Sequence, residues 1–216
     1  MSISPSDRAV NPPVPTAAPI QLGVMASGNG SNFEAICQAI ADGRLDAHIQ
    51  VVVYNNPDAY VRERAEKWGI PAILLDHRPY GKDRETFDLA IVETLHQYEV
   101  ELVVMAGWMR RVTQVFLDGF PMRSINIHPS LLPSFPGLHA VEQALEYGVK
   151  VAGCTVHWVT LEVDSGPIVA QAAVPVREGD TAATLQARIH VEEHRIYPEA
   201  IAIAAAQLHQ ADPATV

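Results

Sequence analysis

The sequence predicts an α/β fold, a mostly parallel sheet with helices packed on both faces. Three observations carry that expectation. Strand-length apolar runs such as IQLGVMA and ELVVMAG alternate with segments whose apolar residues recur at helical spacing. The connections between them are short, as successive βαβ units require. After Gly148 the text changes to two strand-like runs with no helix between them, KVAGCTVHWVT and PIVAQAAVPV, which read as an antiparallel extension.

In order, IQLGVMA is the first buried strand. SNFEAICQAIADG is a helix whose Phe33, Ile36, Cys37 and Ile40 share one face, with Gly43 at its end. AHIQVVVYN is the second strand, DAYVRERAEKWG the second helix, closed by Gly69, and IPAILL a short third strand. DRETFDLAIVETLHQY places Phe87, Ile91, Leu95 and Tyr98 on one side of a third helix. ELVVMAG and RSINIH are the fourth and fifth strands. A long C-terminal helix starts near Thr181, and Pro198 is expected to kink or split it. Residues 1–19 are proline-rich with little to bury, so they read as a disordered arm, and 20–216 reads as a single domain.

Hydrophobic residues make up 48% of the 216 and charged residues 19%, enough for a sizeable core. A net charge of −10 argues against a nucleic-acid or membrane-surface footprint, which needs clustered Lys and Arg. It leaves an anionic small molecule open, because backbone N–H groups bind one locally. Cys37 and Cys154 match no metal spacing and read as reduced, packed thiols of a cytoplasmic protein. The histidines show no HExxH pattern. The one helical pair, His190 and His194, reads as polar side chains beside Glu192 and Glu193, so no metal is expected. His139 and His157 read as structural or supporting groups.

Two stretches carry chemistry. MASGNGSNFEAI leaves the first strand through Gly28 and Gly30 into a helix, with Ser31 and Glu34 spaced as a capping box. A glycine-rich loop at a helix N-terminus is where α/β sheets hold phosphate, and Gly30, Ser31 and Asn32 are the candidates. A tight, well-capped βα turn is an equal reading of the loop by itself. In SINIHPS, Asn126 and His128 alternate with Ile125 and Ile127, so the polar pair shares one face and the isoleucines the other. Pro129 ends the strand and leaves the pair near its carboxyl end, where open α/β folds place ligands. An amide can donate to a carbonyl oxygen while an imidazole manages protons or charge. Such a pair needs a carboxylate to orient and charge the histidine, and the candidate is Asp164 in TLEVDSGP.

GNGSNFEAI, AGWMRRVT, NIHPSLLPSFPGLHA, VTLEVDSGPIVAQAAVPV and EEHRIYP, in this order and spacing, closely resemble the phosphoribosylglycinamide formyltransferase family of folate-dependent enzymes. The resemblance implies a Rossmann-like fold, a nucleotide-binding part over 20–120 and a catalytic and folate-binding part over 121–216. It implies transfer of the formyl group of 10-formyltetrahydrofolate, as cosubstrate, to the amino group of glycinamide ribonucleotide through a tetrahedral intermediate. Asn126, His128 and Asp164 match the family's catalytic trio. Gly30, Ser31, Asn32 and Glu193 match its glycinamide ribonucleotide contacts. Arg84, Met109, Arg110, Arg111, Val112 and Asn126 match its folate contacts, and 160–164 would line the pterin pocket. The partners implied are those two small molecules, with no nucleic acid and no membrane, for a monomer or homodimer.

Three departures stand out. DSGP replaces the more usual DGGP, which a serine tolerates only if Ser165 has negative φ. Ser134 stands where a lysine is common, and the proline-rich arm is additional. Formyltetrahydrofolate deformylase is the nearest alternative but usually has an extra N-terminal domain. Methionyl-tRNA formyltransferase would want a basic tRNA-binding domain. A non-catalytic nucleotide-binding module would have no use for the trio.

Overall fold

The computed structural model describes residues 18–211, so all but the last two residues of the arm expected over 1–19 lie outside the described residues, as do 212–216. The elements are β1 (Ile20–Ala26), α1 (Ser31–Ala41), β2 (Ala47–Tyr54), α2 (Val61–Trp68), β3 (Ala72–Leu74), α3 (Arg84–Gln97), β4 (Leu102–Met105), α4 (Gln114–Gly119), β5 (Ser124–His128), α5 (Ala140–Tyr147), β6 (Val151–Trp158), β7 (Ile168–Pro175) and α6 (Ala182–Ala211). They build one seven-stranded sheet in the order β3-β2-β1-β4-β5-β6-β7. β1 to β5 pair in parallel, and β6 and β7 extend the sheet antiparallel.

Strand alternation sorts the apolar side chains into two cores. Leu22, Val24, Leu102, Val104, Ile125 and Ile127 face α1 and α6, together with Phe33, Ile36, Ile189, Tyr197 and Ile201. Met25, Val51, Val53, Val103 and Met105 face the other way, onto Phe87, Ile91 and Leu95 of α3 and Phe116 of α4. Each fully buried side chain of this size contributes roughly 1.5–3 kcal/mol, so both layers are firmly held. Because Ile125 and Ile127 belong to the α1–α6 core, Asn126 and His128 face the α3–α4 side.

Three local readings need correction. Pro198 lies within one continuous 30-residue α6 and does not split it. Buried Ile196, Tyr197, Ala200, Ile201 and Ala204 pack on both sides of the proline and offset the lost hydrogen bond. The sequence reading also missed the short helices α4 and α5. Finally, the capping box does not form. Gly30, at φ 75, is the N-cap of α1 and supplies no side chain. The Glu34 carboxylate turns to Lys67 (2.6 Å) and Arg64 (3.2 Å) of α2 instead.

Candidate active site

β1 has β2 on one side and β4 on the other, so the connections leave their carboxyl ends in opposite directions. A crevice opens at such a switch point. Two loops flank it, 27–30 after β1 and 106–113 after β4. They are tied together, since Ser27 N–H donates to Gly107 O (3.0 Å) and Met109 N–H to Ser27 Oγ (2.9 Å). α2 holds the glycine loop from outside. Val61 N–H donates to Gly28 O (3.1 Å), and the Arg64 guanidinium donates to Asn29 O (2.9 Å) and Asn29 Oδ1 (3.0 Å). A Cβ on Gly30 would stand 2.6 Å from Val61 Cγ2, so close approach and positive φ both require glycine there.

Beside the start of α1, Asn32 Nδ2 donates to Glu193 Oε2 at 2.9 Å, with both residues buried. Burial pushes the Glu193 carboxyl above its ordinary range, and the Asn32 amide and the nearby His190 and His128 oppose that only in part. Nε2 of His190 stands 3.9 Å from the same oxygen.

A cavity of about 340 Å³ opens next to β5. It is lined by Met109, Arg110, Arg111 and Val112 on one wall and by 159–164 on another, with Asn126 and His128 between them. Its size falls in the ordinary range for small-molecule sites. Asp164 reaches into it from the loop between β6 and β7, at φ 53. Its Oδ2 lies 3.3 Å from His128 Nδ1 and accepts from Gly137 N–H at 2.7 Å. The other ring nitrogen, Nε2–H, donates to Phe135 O at 2.9 Å. Both nitrogens of His128 therefore face acceptors, the Asp164 carboxylate on one side and the Phe135 carbonyl on the other. Burial works to raise the Asp164 pKa, but the two histidine rings and the Gly137 amide outweigh it and keep the carboxyl below the usual range.

Asn126 is half-buried and pairs with His157 across β5 and β6. Its Nδ2 lies 3.2 Å from His157 Nε2, while His157 Nδ1–H donates to Trp158 O at 2.9 Å. His157 Nε2 also stands 3.6 Å from Asp164 Oδ1, so the ring lies between the Asn126 amide and the Asp164 carboxylate. No sequence signal marked His157 for this place; the cross-strand register of β6 decides it.

The DSGP loop is held by its serine. Ser165 does not have positive φ, and its Oγ donates to Glu162 O (3.0 Å) beside Thr160 Oγ1 (3.1 Å). A Cβ on Gly166 would meet Trp158 O at 1.8 Å, so the following glycine is obligatory. Ser134 is exposed, and the structure gives its side chain no part in the cavity.

Residues 21–201 match the model of the formyl transferase family. The chain is 46% identical over 181 residues to phosphoribosylglycinamide formyltransferase of Bacillus subtilis, covering 84% of this chain and 92% of that protein. The chain belongs to the formyl transferase family, in its phosphoribosylglycinamide formyltransferase branch. A solved structure of glycinamide ribonucleotide transformylase 1 from Symbiobacterium toebii aligns at TM-score 0.86 and 52% identity, over 88% of this chain and 90% of that one. The trifunctional purine biosynthetic protein adenosine-3 of Homo sapiens is 43% identical over 185 residues, 86% of this chain but 18% of that protein's length.

In this formyl transferase, most residues matched through the resemblance converge on the crevice. Asn126, His128 and Asp164 meet in the cavity, Met109 to Val112 line it, and Asn32 and Glu193 join beside the glycine loop. Arg84 does not line it. Its guanidinium donates to Arg111 O at 2.7 Å, holding the wall from behind. The Arg110 guanidinium lies 5.3 Å over the Phe87 ring. Trp108 stacks on Phe87, with centroids 6.3 Å apart and planes 3° apart, and borders the cavity. Among the described residues, no three His, Cys, Asp or Glu side chains are grouped to hold a metal ion.

Proposed function

We propose that this formyl transferase moves the formyl group of 10-formyltetrahydrofolate to the amino group of glycinamide ribonucleotide. The products are formylglycinamide ribonucleotide and tetrahydrofolate. The observation that carries the reading is the convergence of Asn126, His128 and Asp164 at the mouth of one cavity beside the glycine loop. The uncapped start of α1 at Gly30 offers free N–H groups and the positive end of the helix dipole to the nucleotide's phosphate. Gly30, Ser31 and Asn32 take the phosphate end there, and Glu193 accepts from the sugar hydroxyls. The walls at 109–112 and 160–164 take the folate.

In the reaction, the substrate amine attacks the formyl carbon and the carbonyl oxygen becomes an oxyanion. The amide of Asn126 and the charged ring of His128 stabilise it, in a site where preorganised donors act strongly. Asp164 holds His128 in its charged form. The proton lost by the amine is taken up by the departing folate nitrogen, so no covalent enzyme intermediate arises.

The test is to incubate the protein with 10-formyltetrahydrofolate, with and without glycinamide ribonucleotide. Tetrahydrofolate appearing only with the acceptor supports the reading. Release without the acceptor identifies a deformylase, and no release in either case refutes the enzyme.

A further inference from the structure

A cavity wall recognises a ligand only if it holds still. Residues 107–112 line one side of the cavity, and the 107–113 segment is pinned at three points. Ser27 Oγ takes Met109 N–H, Arg84 takes Arg111 O, and Asp88 takes Thr113 N–H. The Asp88 contact is the tightest, at 2.5 Å, and Asp88 is 3% exposed. It lies behind the wall and does not line the cavity. Thr113 is the N-cap of α4 but forms no side-chain cap there, so the Asp88 carboxylate anchors that end of the loop from a neighbouring helix. Burial pushes its carboxyl up, and the Thr113 amide with the charges of Arg84 and Arg110 works against this.

The Arg84 and Asp88 contacts come from one face of α3. Arg84, Phe87 and Asp88 recur at helical spacing, and each holds a different part of the 110–113 segment. Buried carboxylates are expensive, and a short surface helix such as α4 does not need one to form. We infer that Asp88 is a positioning residue for the folate half of the site, fixing Met109 to Val112 in register against the cavity. The inference rests on the proposed formyl transfer and deepens it. Asp88 touches neither substrate, and the glycinamide ribonucleotide contacts at Asn32 and Glu193 lie on other elements. Loss of Asp88 therefore acts on one substrate only.

The experiment compares the full-length wild type with Asp88→Ala and Asp88→Asn, measuring kcat, KM for each substrate and the melting temperature. Asp88→Ala raises KM for 10-formyltetrahydrofolate about tenfold, while kcat and KM for glycinamide ribonucleotide stay within about twofold. Asp88→Asn keeps an acceptor oxygen and shows only about a threefold rise. An unchanged folate KM overturns the inference, as does an equal change in kcat or in the other KM. If Asp88→Ala does not fold, Asp88→Asn carries the same test. A wild type without formyl transfer refutes the functional reading, whereas an active wild type beside unaltered variants refutes only the role of Asp88.

Discussion

Asp164 Oδ2 lies 3.3 Å from His128 Nδ1, although His128 ends β5 and Asp164 stands on the loop between β6 and β7. The carboxylate is fixed independently by the Gly137 amide, so it orients the ring rather than following it. Asp164→Asn keeps the shape and removes the negative charge beside the His128 ring. Loss of one oxyanion-stabilising group typically lowers kcat by about 10²–10³. That loss, with substrate KM values and melting temperature near wild type, is the expected outcome. Near-normal turnover by a folded Asp164→Asn protein would remove the residue from the scheme.

Asn126 depends on its partner across the strand pair. His157 Nε2 holds the amide at 3.2 Å, so His157→Ala frees Asn126 to rotate. We expect His157→Ala to lower kcat about tenfold, less than Asn126→Ala. The double variant should fall no further than Asn126→Ala alone, because the two act as one unit. Multiplicative losses in a double-mutant cycle would show that His157 acts elsewhere.

Gly30 is constrained twice, by φ 75 and by Val61. Gly30→Ala must move α2 away from the loop or shift the loop itself. A residue held in such backbone geometry costs about 1–3 kcal/mol, which lowers the melting temperature by roughly 2–4 °C per kcal/mol in a chain of this size. KM for glycinamide ribonucleotide should rise while KM for the folate stays put. A melting curve and both KM values check this, and an equal rise in the two would place the disturbance beyond the phosphate loop.

The parallel sheet was legible because strand runs and helical periods alternate plainly, and the change after Gly148 marked the antiparallel strands. Asn126 and His128 were legible because Ile125 and Ile127 fix which face they take. What escaped was set by distant pairing. His157 enters the site only through the register of β6 against β5, and Asp88 matters only because α3 packs behind the 107–113 loop. The capping box failed for a related reason. Ser31 and Glu34 have the right spacing, but Arg64 and Lys67 on α2 offer Glu34 a charged partnership that the local sequence does not show. Arg84 was expected among the folate contacts, yet its guanidinium is committed to the backbone of Arg111.

Glu193 gives a pH-dependent prediction. Its carboxyl is raised above the ordinary 4.5 first by burial, and the Asn32 hydrogen bond and the nearby histidines do not cancel that. For an acid whose folded pKa is raised, the folded chain keeps a proton that the unfolded chain has already lost. Stability therefore falls as pH rises from the unfolded value through the folded one, and the cost of the buried anion is complete above it. Glu193→Gln keeps an acceptor for Asn32 and removes the titration. The variant should melt close to wild type at about pH 4, the acid end of the shift. At about pH 8 it should melt higher, because folding the wild type must then either bury the anion or take up a proton. Under the proposed function the same variant should bind glycinamide ribonucleotide more weakly, since an anion is a stronger acceptor for sugar hydroxyls than an amide. Melting curves at the two pH values decide the first point. A difference that stays constant with pH, or one that favours wild type as pH rises, would show that the fold does not raise the Glu193 pKa.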